Sequence, residues 1–119
     1  MRRPHRELRV WQEAVGLVEL VYRVTKAFPS SEQYGLTGQM RRAAVSVPSN
    51  IAEGSARNGT AERLRFLGFS AGSLSELDTL IELARRLGFL QDTEELRAKV
   101  DDVSGMLMGL QASLRERDA

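Results

Sequence analysis

Cysteine does not occur anywhere in the 119-residue chain. Its absence excludes a disulfide framework, thiolate zinc sites and a cysteine nucleophile. Histidine is nearly absent as well. His5 stands alone close to the N-terminus, and one imidazole there builds neither a histidine metal cluster nor a buried catalytic triad. There is no Gly-rich phosphate loop and no Glu-x-x-His motif, so neither metal, cofactor nor enzymatic activity is expected. No apolar run approaches the roughly 20 residues of a membrane span. The basic opening MRRPHRELRV is not followed by the apolar segment of a secretory signal. The expectation is therefore a cytoplasmic protein with no membrane partner. The alternating pattern of a β-strand is missing throughout.

What is present is ordinary in amount and uneven in kind. Apolar residues make up 42% and charged residues 28%, the balance of one globular domain large enough for a real core. Net charge is only +1, but 15 of the 17 basic residues are arginine, with Lys26 and Lys99 the exceptions. Arginine offers a planar fork that binds phosphate or carboxylate in two places and stacks on flat groups.

Four helical segments follow from spacing. The first, about residues 7–28, carries Trp11, Ala14, Val15, Val18, Val21, Tyr22 and Thr25 at intervals of three and four. It ends at Phe28-Pro29, because the residue before proline disfavours helix. Trp11, Tyr22 and Phe28 lie on the core stripe. The third, about 61–87, has Thr60 as candidate N-cap and Gly88-Phe89 as a Schellman stop. Its apolar residues wrap about 200° of the helix, whereas one core-facing stripe needs little more than 100°. That excess predicts a second buried side, against another subunit. The fourth, about 93–115, opens on an Asp92/Glu95 capping-box pattern. Leu96, Val100, Val103, Leu107, Leu110 and Leu114 then form a heptad seam. Short connections between long helices predict an up-down-up-down antiparallel four-helix bundle.

The second segment, about 36–54, contains a helix breaker. Leu36, Met40, Ala43, Ala44, Val47 and Ile51 keep one apolar phase across Pro48. A single helix kinked at Pro48 is predicted, closed by Gly54. An interior proline removes a hydrogen bond and costs around 3 kcal/mol in an isolated helix. Ser46, Ser49 and Asn50 are placed to bond backbone groups it frees.

Two sets of candidate residues emerge. Arg42, Ser46, Asn50, Glu53, Ser73 and Glu76 are candidates for a polar network fixing the register of helices two and three, or are independent solvated side chains. Within it, Glu53 and Glu76 are structural groups or, alternatively, an acid–base pair. The second set is a candidate nucleic-acid surface. Arg2, Arg3, Arg6 and Arg9 form a basic arm interrupted by Glu7, while Arg41, Arg42, Arg57, Arg63 and Arg65 cluster around the second turn. Repeated in an oligomer, such patches give salt-dependent, sequence-tolerant binding. A protein-interaction scaffold without nucleic acid is the alternative.

The stretches LRVWQEAVGLVELVYRVTKAFP, YGLTGQMRRAAVSVPSNIAEG and FLGFSAGSLSELDTLIELARRLGFL carry a resemblance covering about residues 8 to 90. The chain resembles the bacterial four-helix-bundle proteins encoded in intervening sequences of 23S ribosomal RNA genes. It is also similar to the accessory bundles of diversity-generating retroelements. The resemblance implies a ring-like homo-oligomer, a pentamer, and for the retroelement relatives contact with RNA or DNA and with a reverse transcriptase. It implies no catalytic residues.

Overall fold

A computed structural model of the protein describes residues 3–117. Four long helices form an all-α bundle of 47 × 27 × 19 Å, with no strand among the described residues. They are α1 (Arg9–Thr25), α2 (Leu36–Ser55), α3 (Thr60–Arg86) and α4 (Glu94–Arg117). Short 3-10 turns, Pro4–Glu7 and Ser30–Glu32, precede α1 and α2. Helix α1 packs on α2 and α4, and α3 packs on the same two. No close backbone approach links α1 to α3 or α2 to α4 among the described residues.

The core follows the apolar periodicities. Leu17 and Val21 of α1, Met40, Val47 and Ile51 of α2, Leu77 and Ile81 of α3, and Leu96, Val103 and Leu107 of α4 are fully buried. Truncating a buried leucine or isoleucine of this kind costs about 2–5 kcal/mol. On α4 the whole heptad seam faces inward, with Leu110 alone half-buried. Thr25, the last residue of α1, is buried because its hydroxyl donates to the Val21 carbonyl at 2.7 Å.

The most extensive contact is between α2 and α3. Small residues permit it. Ala43, Gly54 and Ser70 are buried there, and a Cβ on Gly54 would lie 3.2 Å from Phe66 Cβ and 3.3 Å from the Arg63 carbonyl oxygen. Residue numbers run in opposite senses along the two helices: Gly54 meets Phe66, Val47 meets Ser70, and Ser46 meets Ser73.

Several helix ends differ from their sequence-based positions. Helix α2 continues past Gly54 to Ser55, and Gly54 is a packing residue rather than a cap. Gly59 precedes α3 with φ +85°, a conformation that favours glycine, so Thr60 becomes the first helical residue. Helix α4 starts two residues after Asp92, whose carboxylate accepts from the Glu94 N–H at 3.0 Å. The Thr93 carbonyl opens the helical ladder, and Glu95 turns to Arg23 at 3.8 Å instead of closing a box. The end of α3 matches its sequence signal. Gly88 has φ +82°, the Phe89 N–H reaches back to the Ala84 carbonyl at 2.9 Å, and the Phe89 ring packs 5.8 Å from Phe28.

Candidate functional site

The turn between α2 and α3 carries a compact array of cations and rings. Phe66 and Phe69 sit three residues apart on the first turns of α3, so they fall on neighbouring positions of one face. Their rings meet edge to face at 5.6 Å and 87°. The Arg57 guanidinium lies 4.9 Å from the centre of the Phe66 ring. That of Arg65 lies 5.6 Å from Phe66 and 5.4 Å from Phe69. Arg63 folds the other way, its Nε donating to the Arg57 carbonyl at 3.0 Å. Glu53 pairs with Arg57 at 2.9 Å and Glu62 with Arg65 at 3.4 Å. Phe69 remains 46% exposed. A guanidinium stacked on a ring keeps its edge N–H groups clear of the ring. Glu53 and Glu62 take one Nη of each arginine, which leaves the remaining edge N–H groups for an anion, and an exposed ring presents a face for stacking. The aromatic half of this array escapes the sequence reading, which counts both phenylalanines as helix-three packing surface. The available signal was an i, i+3 Phe pair with arginine beside it.

The remaining candidate arginines are distributed by helix geometry. Thirteen positions separate Arg42 from Ser55, the last residue of α2, about 20 Å at the helical rise, and Arg57 lies beyond that end, so the five arginines expected around the second turn form no single cluster. Arg41 lies on the α1 side. Its guanidinium covers the Tyr22 ring at 4.4 Å, and its Nε donates to Thr25 Oγ1 at 2.9 Å. Tyr22 is thereby half-exposed under a cation, not a core residue as its periodicity predicts. Of the other two aromatics on that stripe, Phe28 is buried, while Trp11 is half-buried and edge-on to His5 at 5.1 Å. Arg42 borders a polar cleft of 410 Å³ between α2 and α3, with Gln39, Ser46, Ser73 and Glu76.

Arg3, Arg6 and Arg9 are exposed at the N-terminal turn, and Arg2 lies outside the described residues. That turn shares one end of the bundle with the α2–α3 turn and the last turn of α4, because Pro4, Leu8, Gly54, Arg63, Leu114 and Arg117 border a common cavity. Residues 3–9, 53–65 and 114–117 at this end hold eight arginines and four glutamates. A chain with a net charge of +1 therefore concentrates a surplus of four positive charges at one end.

The candidate polar network is smaller in outcome than in expectation. Asn50 Nδ2 donates to both the carbonyl and the hydroxyl of Ser46 at 2.9 Å, and the Ser73 hydroxyl donates to Ser46 Oγ at 2.8 Å. Arg42 and Glu76 face the same cleft without joining these bonds, and Glu53 is engaged by Arg57. A further link comes from Ser70, wholly buried, whose hydroxyl donates to the Val47 carbonyl at 2.8 Å. Both carbonyls immediately before Pro48 thus receive a side-chain donor.

Other charges hold helices together. Glu82 accepts from Arg85 and Arg86 on its own helix at 2.8 Å and from Arg97 of α4. These hydrogen bonds, Arg85 first, hold its carboxyl far below the usual glutamate range. Glu82 in turn raises the Arg85 pKa, mainly through their hydrogen bond. Lys99 of α4 bonds Glu13 of α1 and lowers the pKa of that carboxyl. Among the described residues no cluster of three or more His, Asp or Glu side chains could hold a metal ion. Nor is any helix long and apolar enough to cross a membrane.

A family model described as 23S rRNA-intervening sequence protein matches residues 6–109. The match takes in all of α1, α2 and α3 and most of α4. A search of curated proteins finds no match.

Proposed function

Because the chain belongs to the 23S rRNA-intervening sequence protein family, we propose that it is a non-enzymatic helical scaffold that binds nucleic acid through its basic end. The observation that carries this reading is the stack of Arg57 and Arg65 on Phe66 and Phe69, set on an exposed turn. Phosphates would meet the guanidinium edges, and an unpaired base would meet Phe69. Neither RNA nor DNA is favoured by this chemistry. The scaffold acts in the cytoplasm as an up-down-up-down antiparallel bundle, its second helix bent at Pro48. The opposed residue order of α2 and α3 supports that topology.

Copies associate in this reading, as a ring of five by resemblance to the family. Phe69 and Leu83 of α3, and Leu87 just past its end, are 46%, 44% and 61% exposed in the single chain. Covering them in an oligomer removes apolar area from water and repeats the arginine surface at each copy. The same exposed side chains favour the second reading, a scaffold for a protein partner such as a reverse transcriptase.

The test is fluorescence anisotropy with unrelated RNA and DNA oligonucleotides at two salt concentrations. Binding that weakens steeply with salt is expected, with a log–log slope of roughly 0.9 per phosphate contacted on duplex DNA. No binding at low salt removes the first reading and leaves the second. Light scattering reads the oligomer, and a monomer at micromolar concentration overturns association.

A further inference from the structure

The basic end holds a cavity of 570 Å³ that the nucleic-acid reading does not use. It opens where the N-terminal turn, the end of α2, the start of α3 and the end of α4 converge. Its walls are largely aliphatic, with Pro4, Leu8, Leu67, Leu110 and Leu114 among the lining residues. Its charged lining residues are Arg63 and Arg117, and no carboxylate lines it among the described residues. No acidic side chain lies within ion-pair distance of either arginine among the described residues. Arg63 is half-buried, and its Nε is occupied by the Arg57 carbonyl, so the two Nη groups carry its remaining donors.

From this geometry we propose that the cavity is a binding site for a medium-chain fatty carboxylate. The volume is that of a small-molecule site, about 300–1,000 Å³. A leucine-lined interior rewards an alkyl chain in proportion to the area it buries. Among the described residues no acidic side chain pairs with the half-buried Arg63 guanidinium beside it, and a carboxylate supplies that counter-charge through two parallel hydrogen bonds. A neutral apolar molecule would leave that arginine uncompensated. A nucleic-acid phosphate would leave Pro4 and the half-buried Leu8 and Leu110 wet. The carboxylate head therefore sits at Arg63, with Arg117 beside it, and the chain runs inward over Leu67 towards Leu110 and Leu114.

Isothermal titration calorimetry on the full chain, without nucleic acid, tests the site with hexanoate, octanoate and decanoate below their micellar concentrations. Saturable binding is expected, tightening by roughly three- to four-fold per added methylene until the cavity is filled. Decanol and decyltrimethylammonium should bind at least ten-fold more weakly than decanoate. Arg63→Gln should cost about ten-fold or more, the scale of a hydrogen bond to a charged group. Arg63 and Arg117 are outside the hydrophobic core, so unchanged helical circular dichroism separates lost binding from lost folding. Absence of saturable decanoate binding, equal affinity for decanol, or an unaltered Arg63→Gln/Arg117→Gln double variant each overturns the proposal. Because no oligonucleotide is present, the result is independent of the outcome for nucleic acid.

Discussion

Ser70 donates its hydroxyl to the carbonyl of Val47 at 2.8 Å, joining the middle of α3 to the residue before Pro48. The bond is wholly buried, so neither partner exchanges it for water. Ser70→Ala should lower stability by about 1 kcal/mol, the net worth of a buried neutral hydrogen bond. Ser70→Val should lower it further, since one methyl takes the place of the hydroxyl and a second has to fit into a packed interface. Urea unfolding followed by circular dichroism reads both, and an alanine variant as stable as the parent would contradict the link.

Ser46 is shared by Asn50 and Ser73, which predicts where energetic coupling is found. Asn50→Ala and Ser73→Ala should be non-additive by about 0.5 kcal/mol or more. Asn50→Ala and Glu76→Ala should add, because Glu76 faces the cleft without entering the bonded set. A double-mutant cycle for each pair decides the matter.

Glycine positions separate by what surrounds them. A methyl at Gly54 meets Phe66 Cβ and the Arg63 carbonyl, neither of which moves without displacing α3. Gly54→Ala should therefore destabilise by about 1–3 kcal/mol despite the better helix propensity of alanine. Gly105, inside α4, has nothing within 4 Å of its would-be Cβ. Gly105→Ala should stabilise by about 0.5–1 kcal/mol. Thermal melts of the two variants should move in opposite directions.

Glu82 makes stability sensitive to acid. Its folded pKa lies below the ordinary value of 4.5, so its contribution is complete above that value and fades as pH falls towards the folded pKa. Glu13, held down by Lys99, adds in the same direction. Glu82→Gln should lower the melting temperature at neutral pH, and its gap from the parent should narrow progressively below pH 4.5. A gap that stays constant through that range would show the triad contributes nothing through charge.

Phe69 and Arg65 should act differently on nucleic acid. Loss of a stacked base is worth about 1–3 kcal/mol, so Phe69→Ala should weaken single-stranded oligonucleotides and leave duplex binding nearly unchanged. Arg65→Gln should weaken both and flatten the duplex salt dependence by roughly 0.9 in slope per phosphate contact removed. Anisotropy titrations with matched single and double strands read the split.

Helix number and core faces were legible because burial repeats with the helix turn. The inward positions of Met40, Val47, Ile51, Val103 and Leu107 are all visible in spacing alone. So was the end of α3, since Gly88 followed by Phe89 carries a mechanism. Helix starts were less legible. Gly59 takes by its backbone the place that Thr60 would take by its hydroxyl, and such a conformation has no apolar period to announce it. The network around Ser46 was half visible: Asn50 and Ser73 fall within reach, whereas Arg42 and Glu76 share a face without the depth to bond. Least legible was the end-to-end polarity of charge. It arises from segments distant in sequence that meet only once the helices are laid side by side.

The unequal hold among the helices has a temporal side. Helices α2 and α3 are joined at close range by Gly54, Ser70 and Ser73, whereas α4 is tied to its neighbours largely by surface ions and one leucine-valine seam. Thermal fluctuation should therefore release α4 before it parts the central hairpin. Amide protons of α2 and α3 should be the last to exchange with deuterium, and the protein should come apart from its flank inward.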